Sequence, residues 1–230
     1  MSLTPEGQRK LEVMKTLAES AYRDTSILED AVTVEPYNEV THRDEFFQLP
    51  YRTIMEREWF DDPTYVMDLV FGEIGRGIAY GEHRILVEEL GRMTTAIPER
   101  RPLISVLSKI SELVQSGYEP SLIFAPIDYY MDAYTTWLGP QMRITSSGGH
   151  PFLELGQQAR LRIVWSGKLV PFTDFFVLDR NWARWIVKER FNIEVRPNSQ
   201  LDTIFKTVYR LEIAEGAEAV RRISSTTRDG

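Results

Sequence analysis

Apolar residues recur at helical spacing in four stretches of the first 140 residues, strand-like segments dominate from Gln141 onward, and Thr203–Ile213 alternates cleanly. Thr4 and Pro5 pair a side-chain cap with a proline at the first helical position, a helix start. Leu11, Met14, Leu17, Ala18 and Ala21 then predict one amphipathic helix ending near Tyr22. From Arg23 to Glu45 the chain is polar, with a short β-leaning stretch at Ala31–Val34, and reads as an extended arm or loop without a core of its own. Phe46 to Arg57 is strand-like but contains Pro50, which assigns it to a sheet edge.

Asp62-Pro63 repeats the cap-and-proline signal. It opens the longest helical pattern, lined by Val66, Met67, Val70, Phe71, Ile74, Ile78, Ile85, Leu86 and Leu90, with Gly91 as the expected C-cap. About 28 residues of helix span roughly 42 Å, well beyond the average of about 11–12 residues. Gly72, Gly75, Gly77 and Gly81 lie inside it. Each costs up to about 1 kcal/mol relative to alanine, so the helix must pack closely against a sheet or a neighbouring subunit, or bend.

Pro102 opens a third helix with Leu103, Ile104, Val106, Leu107, Ile110, Leu113 and Val114 on its buried stripe, closed by Gly117. Ser121–Ala125 reads as a central strand, and Pro126 and Asp128 start a fourth helix carrying Tyr130, Ala133, Tyr134, Trp137 and Leu138. This helix–strand–helix order predicts a mixed α/β layer. From Gln141 onward the expected strands are Met142–Thr145, Arg160–Trp165, Phe175–Leu178, Trp185–Lys188, Phe191–Arg196 and Thr203–Ile213, with Ser146–His150 a flexible loop.

Composition narrows the function classes. Hydrophobic content of 43% in 230 residues suffices for a sizeable core. A formal charge of −7 argues against a dedicated nucleic-acid binder, though not against a local contact with packaged DNA. With no cysteine, disulfides and thiolate metal sites are excluded. The first residues do not form a signal peptide and no apolar run reaches a membrane span, so a soluble, intracellular protein without membrane partners is expected.

No catalytic constellation emerges. His42, His83 and His150 lie in three separate segments without paired ligands, which favours surface or internally satisfied histidines. Gly75-Arg76-Gly77 with Gly81 has neither the spacing nor the position of a phosphate cradle, whose glycines precede a helix. Asp61-Asp62 reads as a helix cap rather than a carboxylate pair. No catalytic, cofactor-binding or metal-binding residue is therefore assigned, and no cofactor is expected. Trp182 and Trp185, flanked by Arg180 and Arg184, serve either a core or an interface, since Trp, Tyr and Arg dominate interface energetics.

The order of segments from residue 44 to residue 223 resembles that of the tailed-phage major capsid and encapsulin shell proteins, the Hong Kong 97-like family. Phe47-Gln48-Leu49-Pro50-Tyr51-Arg52 through Met55-Glu56-Arg57-Glu58-Trp59-Phe60-Asp61-Asp62 resembles the family's strand and entry to its spine helix. Glu82-His83-Arg84-Ile85-Leu86 is similar to its acidic pair before a bulky apolar residue, with His83 replacing the second acid. Val114 to Pro126 resembles the apical helix–Gly-Tyr-x-Pro–strand–Pro unit, and Phe176–Asp179, Phe191–Arg196, Val208–Ile213 and Glu218-Ala219-Val220 resemble the closing strands.

The resemblance implies an α+β fold with a long spine helix, peripheral β-strands and an α/β apical domain. Residues 1–45 would be an N-terminal arm and extended loop, 46–100 and 192–230 the peripheral domain with the spine helix, and 101–191 the apical domain. It further implies a non-enzymatic subunit that assembles with itself, as pentamers and hexamers, into an icosahedral shell. That shell is a phage or prophage virion enclosing double-stranded DNA or, alternatively, a cytoplasmic encapsulin nanocompartment enclosing a cargo enzyme. A scaffolding or portal protein is a further possible partner. The expected subunit-interface residues are Trp182, Arg184, Trp185, Gly72, Gly75, Phe46 and Phe47. Deleting residues 1–35 is expected to leave a folded subunit that forms no closed shell. The rival from another class is a small α/β enzyme using Asp61, Asp128 or His150.

Overall fold

The computed structural model describes residues 5–39, 46–55, 66–156, 159–197, 201–214 and 217–226. Thr4, His42, the segment Glu56–Asp62 with its proposed cap, and Pro63 lie outside the described residues. The chain divides into two compact units, each assembled from separated stretches of sequence. Unit 1 comprises Met1–Ile27, Val34–His83 and Trp185–Leu211, and unit 2 comprises Leu28–Thr33, Arg84–Arg184 and Glu212–Gly230.

In unit 1 the described elements are helix α1 (Pro5–Thr25), strands β1 (Thr33–Pro36) and β2 (Phe47–Met55), and most of the long helix α3 (Val66–Met93, 28 residues). Strands β9 (Ala183–Pro197) and β10 (Leu201–Ile213) complete it. The four strands form one sheet in the order β1-β9-β10-β2, and β10 runs antiparallel to β2 from Leu201↔Met55 to Tyr209↔Phe47. β2 occupies the edge, the place in a sheet where a proline such as Pro50 is tolerated.

The glycines of α3 explain how these elements meet. A Cβ at Gly75 would strike the Ala18 carbonyl oxygen and the Tyr22 backbone nitrogen, so α1 lies backbone to backbone on α3. A Cβ at Gly77 would strike the Tyr51 ring and one at Gly81 the Leu49 methyls, so β2 lies on the next part of the same helix. Met14, Ala18 and Tyr22 of α1, Phe71, Ile74, Ile78 and Ala79 of α3, and Phe191 and Phe205 of the sheet close the core. Two polar contacts secure the end of α1: the Tyr22 hydroxyl donates to Glu82 Oε2 at 2.7 Å, and the Ile27 N–H donates to His83 Nε2 at 3.2 Å.

Unit 2 is built on a seven-stranded sheet, ordered β3-β11-β8-β4-β7-β6-β5. Its strands are β3 (Ile97–Glu99), β4 (Pro120–Ala125), β5 (Met142–Ser147), β6 (His150–Leu155), β7 (Ala159–Trp165), β8 (Phe175–Asp179) and β11 (Val220–Ser225). β4 is central, parallel to β7 and antiparallel to β8, and its Leu122–Ala125 run has no exposed surface. That is why it reads as an uninterrupted apolar run. Helix α4 (Pro102–Gln115) packs Val106, Ile110 and Leu113 into the core with Trp137, Leu161, Phe175 and Val177. α4 ends in a Schellman motif: Gly117, at φ 85°, donates to Val114 O, and the Tyr118 N–H donates to Leu113 O.

Several sequence expectations change. The stretch from Arg23 is not a coreless arm: α1 continues to Thr25, helix α2 (Leu28–Ala31) follows, and Ile27, Leu28, Ala31 and Val32 are at most 2% exposed. In unit 2, Trp182 Nε1 donates to Ala31 O and Arg162 pairs with Asp30 at 2.7 Å. Deleting residues 1–35 would therefore strip both units of buried contacts rather than trim an appendage. Gly91 does not cap α3, which continues to Met93; the Arg222 guanidinium donates to Gly91 O and Thr94 O instead. Ile104 and Val114 are exposed, not buried.

The loop expected at Ser146–His150 is the tip of the β5–β6 hairpin. Gly148 and Gly149 turn it at φ 59° and 80°, the φ signature of a type I′ turn. The two strands expected at Trp185–Lys188 and Phe191–Arg196 are the single strand β9, which passes through Phe191 at φ 52° with its ring buried.

Gly75→Val would place a branched side chain where α1's backbone sits. It is expected to cost about 3 kcal/mol in urea unfolding, whereas Gly91→Ala, with nothing within 4 Å of its Cβ, should stabilise by about 0.5 kcal/mol. Equal midpoints for the two variants would contradict the close α1–α3 approach.

Candidate subunit interface

The seven residues expected at an interface have different surroundings. Trp182 and Trp185 are fully buried within the chain. The Trp185 ring stacks on Tyr209 at 4.2 Å and 7°, so both tryptophans belong to the core side of the alternative their sequence context left open. Gly75 is consumed by the contact with α1, and Gly72 is buried beneath the Arg76 side chain of its own helix. Arg184 is half exposed and pairs with Glu212 at 2.9 Å. Phe46 stands edge-on to Tyr37 with the Lys188 ammonium over both rings, and Phe47 is 60% exposed beside Tyr209. Of the set, Phe46, Phe47 and Arg184 retain surface that another molecule could touch.

A larger apolar surface lies in unit 2. A 3₁₀ turn (Ile127–Tyr129) leads into helix α5 (Tyr130–Thr136), and this short segment has two apolar faces. Ala133 and Trp137 point inward and are fully buried, with Trp137 Nε1 donating to Leu103 O. Ile127, Tyr130, Met131, Tyr134 and Leu138 recur at i, i+3, i+4, i+7 and i+11 and point outward, from 39% exposed at the tyrosines to 74% at Met131. Tyr130 and Tyr134 pack on each other at 5.1 Å, and Tyr130 stands edge-on to Trp165. Their mutual hydrogen bond raises the Tyr134 hydroxyl pKa. In the sequence, Tyr130, Ala133, Tyr134, Trp137 and Leu138 are assigned to this helix without division between faces; the signal for two faces is the run of apolar residues on both sides of the helical wheel. Scattered single apolar residues on a surface are ordinary, but a contiguous stripe marks an interaction site.

The residues of the enzyme rival are not brought together. Asp61 lies outside the described residues. Asp128 borders a cleft of about 850 Å³ with Arg100, Arg101, Asp132, Tyr129 and Asp174, whereas His150 pairs with Ser147 at the hairpin turn and does not line that cleft. Within the cleft, Asp174 is engaged by Arg222 at 2.7 Å and the Tyr129 hydroxyl donates to Ser225 Oγ at 2.6 Å. Among the described residues no group of three or more His, Asp or Glu side chains is placed to hold a metal ion. No described helix is long and apolar enough to cross a membrane.

A long helix packed on a four-stranded sheet in one unit, and a mixed seven-stranded sheet with flanking helices in the other, are the elements of an α+β shell fold. The chain has the Hong Kong 97-like fold, the fold of tailed-phage capsid and encapsulin subunits. A virus-like particle protein from Pyrococcus furiosus is similar to it with a TM-score of 0.66 and 10% identity, over 93% of this chain and 98% of that chain. A phage-related protein from Bordetella bronchiseptica matches at TM-score 0.57 and 9% identity, over 93% of this chain and 96% of that one. The encapsulin of a holo-SrpI complex from Synechococcus elongatus matches at 0.55 and 12%, over 88% of each chain. No protein-family model matches the sequence, and no curated protein matches it significantly.

The tryptophans and the outward stripe should respond in opposite ways to truncation. Trp185→Ala is expected to cost about 3–5 kcal/mol of stability, whereas Met131→Ser should stay within about 0.5 kcal/mol. Thermal unfolding of both variants as isolated subunits checks this, and a large loss in Met131→Ser would show that the stripe is part of the fold.

Proposed function

We propose that the chain is a structural, non-catalytic subunit that assembles with many copies of itself into a closed icosahedral shell, foremost as the major capsid protein of a tailed phage or prophage enclosing double-stranded DNA. The observation that carries this reading is the extent of the fold: the similarity to the Pyrococcus furiosus virus-like particle protein runs over 93% of this chain and 98% of that one. Its net charge of −7 suits a container that repels its nucleic-acid contents over most of its surface and contacts them locally.

In this reading the chemistry is geometric. The peripheral layer along each subunit's edge comes from residues 46–100 and 192–230, less β3 and β11, which belong to the seven-stranded sheet; that sheet, with residues 101–191, supplies the apical layer at the five-fold and six-fold axes. The α5 stripe then meets a different surface of the next copy, a heterologous contact that closes into a ring when its rotation allows. Phe46, Phe47 and Arg184 supply contacts from the remainder of the chain. A scaffolding or portal protein is the accessory partner of this reading, and the assembled virion its location.

A second reading is an encapsulin, a cytoplasmic nanocompartment around a cargo protein. The match to the Synechococcus elongatus encapsulin over 88% of both chains supports it.

Mass photometry separates the shell from its rivals. The wild-type protein is expected in the megadalton range, and Met131→Asp/Leu138→Asp is expected to remain folded at about 60 kDa or below, since charges in the centre of a repeated contact are counted at every copy. A wild-type protein that stays below that mass at all concentrations contradicts the proposal. Co-purifying nucleic acid supports the capsid, and a stoichiometric co-purifying enzyme supports the encapsulin.

A further inference from the structure

The least conventional group in the described structure is Glu82. It lies in the interior of α3 with no exposed surface, although acidic side chains are almost never fully buried unless paired. One carboxyl oxygen, Oε2, accepts from the Tyr22 hydroxyl of α1 at 2.7 Å, while the other, Oε1, is buried without a hydrogen-bond partner. The cation facing it is Arg190 of β9, and that guanidinium is directed at an aromatic face, 5.1 Å from the Tyr22 ring centroid, with its own Nε buried and unpartnered. Ser26, one turn beyond Tyr22 on the chain, hydrogen-bonds the Tyr22 side chain. From α3 itself the neighbouring titratable group is His83, whose Nε2 is the acceptor for the Ile27 N–H. The carboxyl therefore stands between the end of α1, the body of α3 and β9, all within unit 1, with half its hydrogen-bonding capacity unused.

We infer that α1 is held to α3 by a proton-operated latch: α1 is seated firmly while Glu82 is a neutral acid and is loosened when Glu82 ionises. The neutral acid leaves only a weakly polar oxygen unsatisfied at Oε1, whereas the carboxylate leaves a bare negative charge there, and an unpaired buried charge is far costlier than an unpaired neutral group. Swinging α1 away from Gly75 lets water reach the carboxylate, so ionisation and undocking are coupled.

Burial pushes the Glu82 pKa up from 4.5 to about 7, with the Tyr22 hydrogen bond and the Arg190 charge acting weakly in the opposite direction. Burial and the nearby Glu82 charge together raise the Tyr22 hydroxyl above its ordinary value, so it remains a donor throughout. A carboxyl whose pKa is raised by docking binds its proton more tightly in the docked state. Its stabilising effect is complete below about pH 4.5, declines as pH rises, and is gone above about pH 7. His83 acts in the other sense, because Nε2 accepts a hydrogen bond only while the ring is neutral. The latch is closed where Glu82 carries its proton and His83 does not.

The latch does not rest on the shell reading, because it operates within each chain whatever that chain assembles into. The test is amide hydrogen exchange of α1 in full-length wild type and Glu82→Gln between about pH 5 and pH 8. Glutamine keeps the shape and the neutral charge at every pH. Comparing the two proteins at the same pH cancels the contribution of His83 and the intrinsic pH dependence of exchange. Protection of α1 in Glu82→Gln relative to wild type is expected to rise on the order of fiftyfold from pH 5 to pH 8. A ratio that stays flat overturns the latch. Should Glu82→Gln not fold, His83→Gln decides, since its amide oxygen can accept from the Ile27 N–H at every pH and the opposing contribution is removed: its α1 protection, measured against that of β4, must fall over the same range, and a constant ratio overturns the inference equally.

Discussion

The backbones of α1 and α3 touch at Gly75, and unit 1 is arranged around that contact. Any side chain there would push against Ala18 and Tyr22, so only a bare Cα lets Met14, Ala18 and Tyr22 reach Phe71, Ile74 and Ile78. Further along α3, Gly77 and Gly81 admit Tyr51 and Leu49 in the same way, and β2, with the sheet it edges, is thereby seated on the helix. Each glycine weakens the isolated helix by up to about 1 kcal/mol. The loss is offset by close-packed apolar surface that a helix rich in larger residues could not bring together.

That contact also determines what α3 can do beyond packing. Because α1 approaches so closely, Tyr22 and Ile27 reach Glu82 and His83, two consecutive polar residues that would otherwise be expected in water. Unit 2 presents the converse arrangement: its centre is β4, whose Leu122–Ala125 run is apolar and paired on both sides, and its unsatisfied surface is an apolar stripe facing outward on α5. One unit thus keeps an ionisable group inside, and the other keeps oily groups outside. The buried carboxyl costs stability, the exposed stripe costs solubility rather than stability, and departures of this kind are expected where a protein has work to do.

The parts of the fold legible in the sequence were those governed by local rules. The 28-residue helix, the Pro102 start and Gly117 stop of α4, the apolar run of β4 and the edge position required by Pro50 all follow from periodicity and punctuation. What stayed hidden depended on partners distant in sequence. Ile27, Leu28, Ala31 and Val32 lie among polar neighbours, so nothing local announced that they would be buried. Strands β3 and β11 are short and recognisable only through each other and β8. At the candidate interface, Trp182 and Trp185 carried the composition of a contact surface but were taken by the core, whereas the exposed Met131 and Leu138 were not among the expected interface residues. Amino-acid type cannot distinguish the inside of one chain from the inside of an assembly, since both favour the same residues.

Neither unit is a continuous piece of sequence: unit 1 requires Trp185–Leu211, and unit 2 requires Glu212 onward, including β11, which pairs with β8 and β3. A ribosome that has made the first 180 residues has therefore completed no core, and the last strands to emerge are needed to close both. Because pairings over such sequence distances form slowly, neither core can close while only the early segments are out of the exit tunnel, and the order of synthesis delays the finished surface of each unit until its distant strands have arrived.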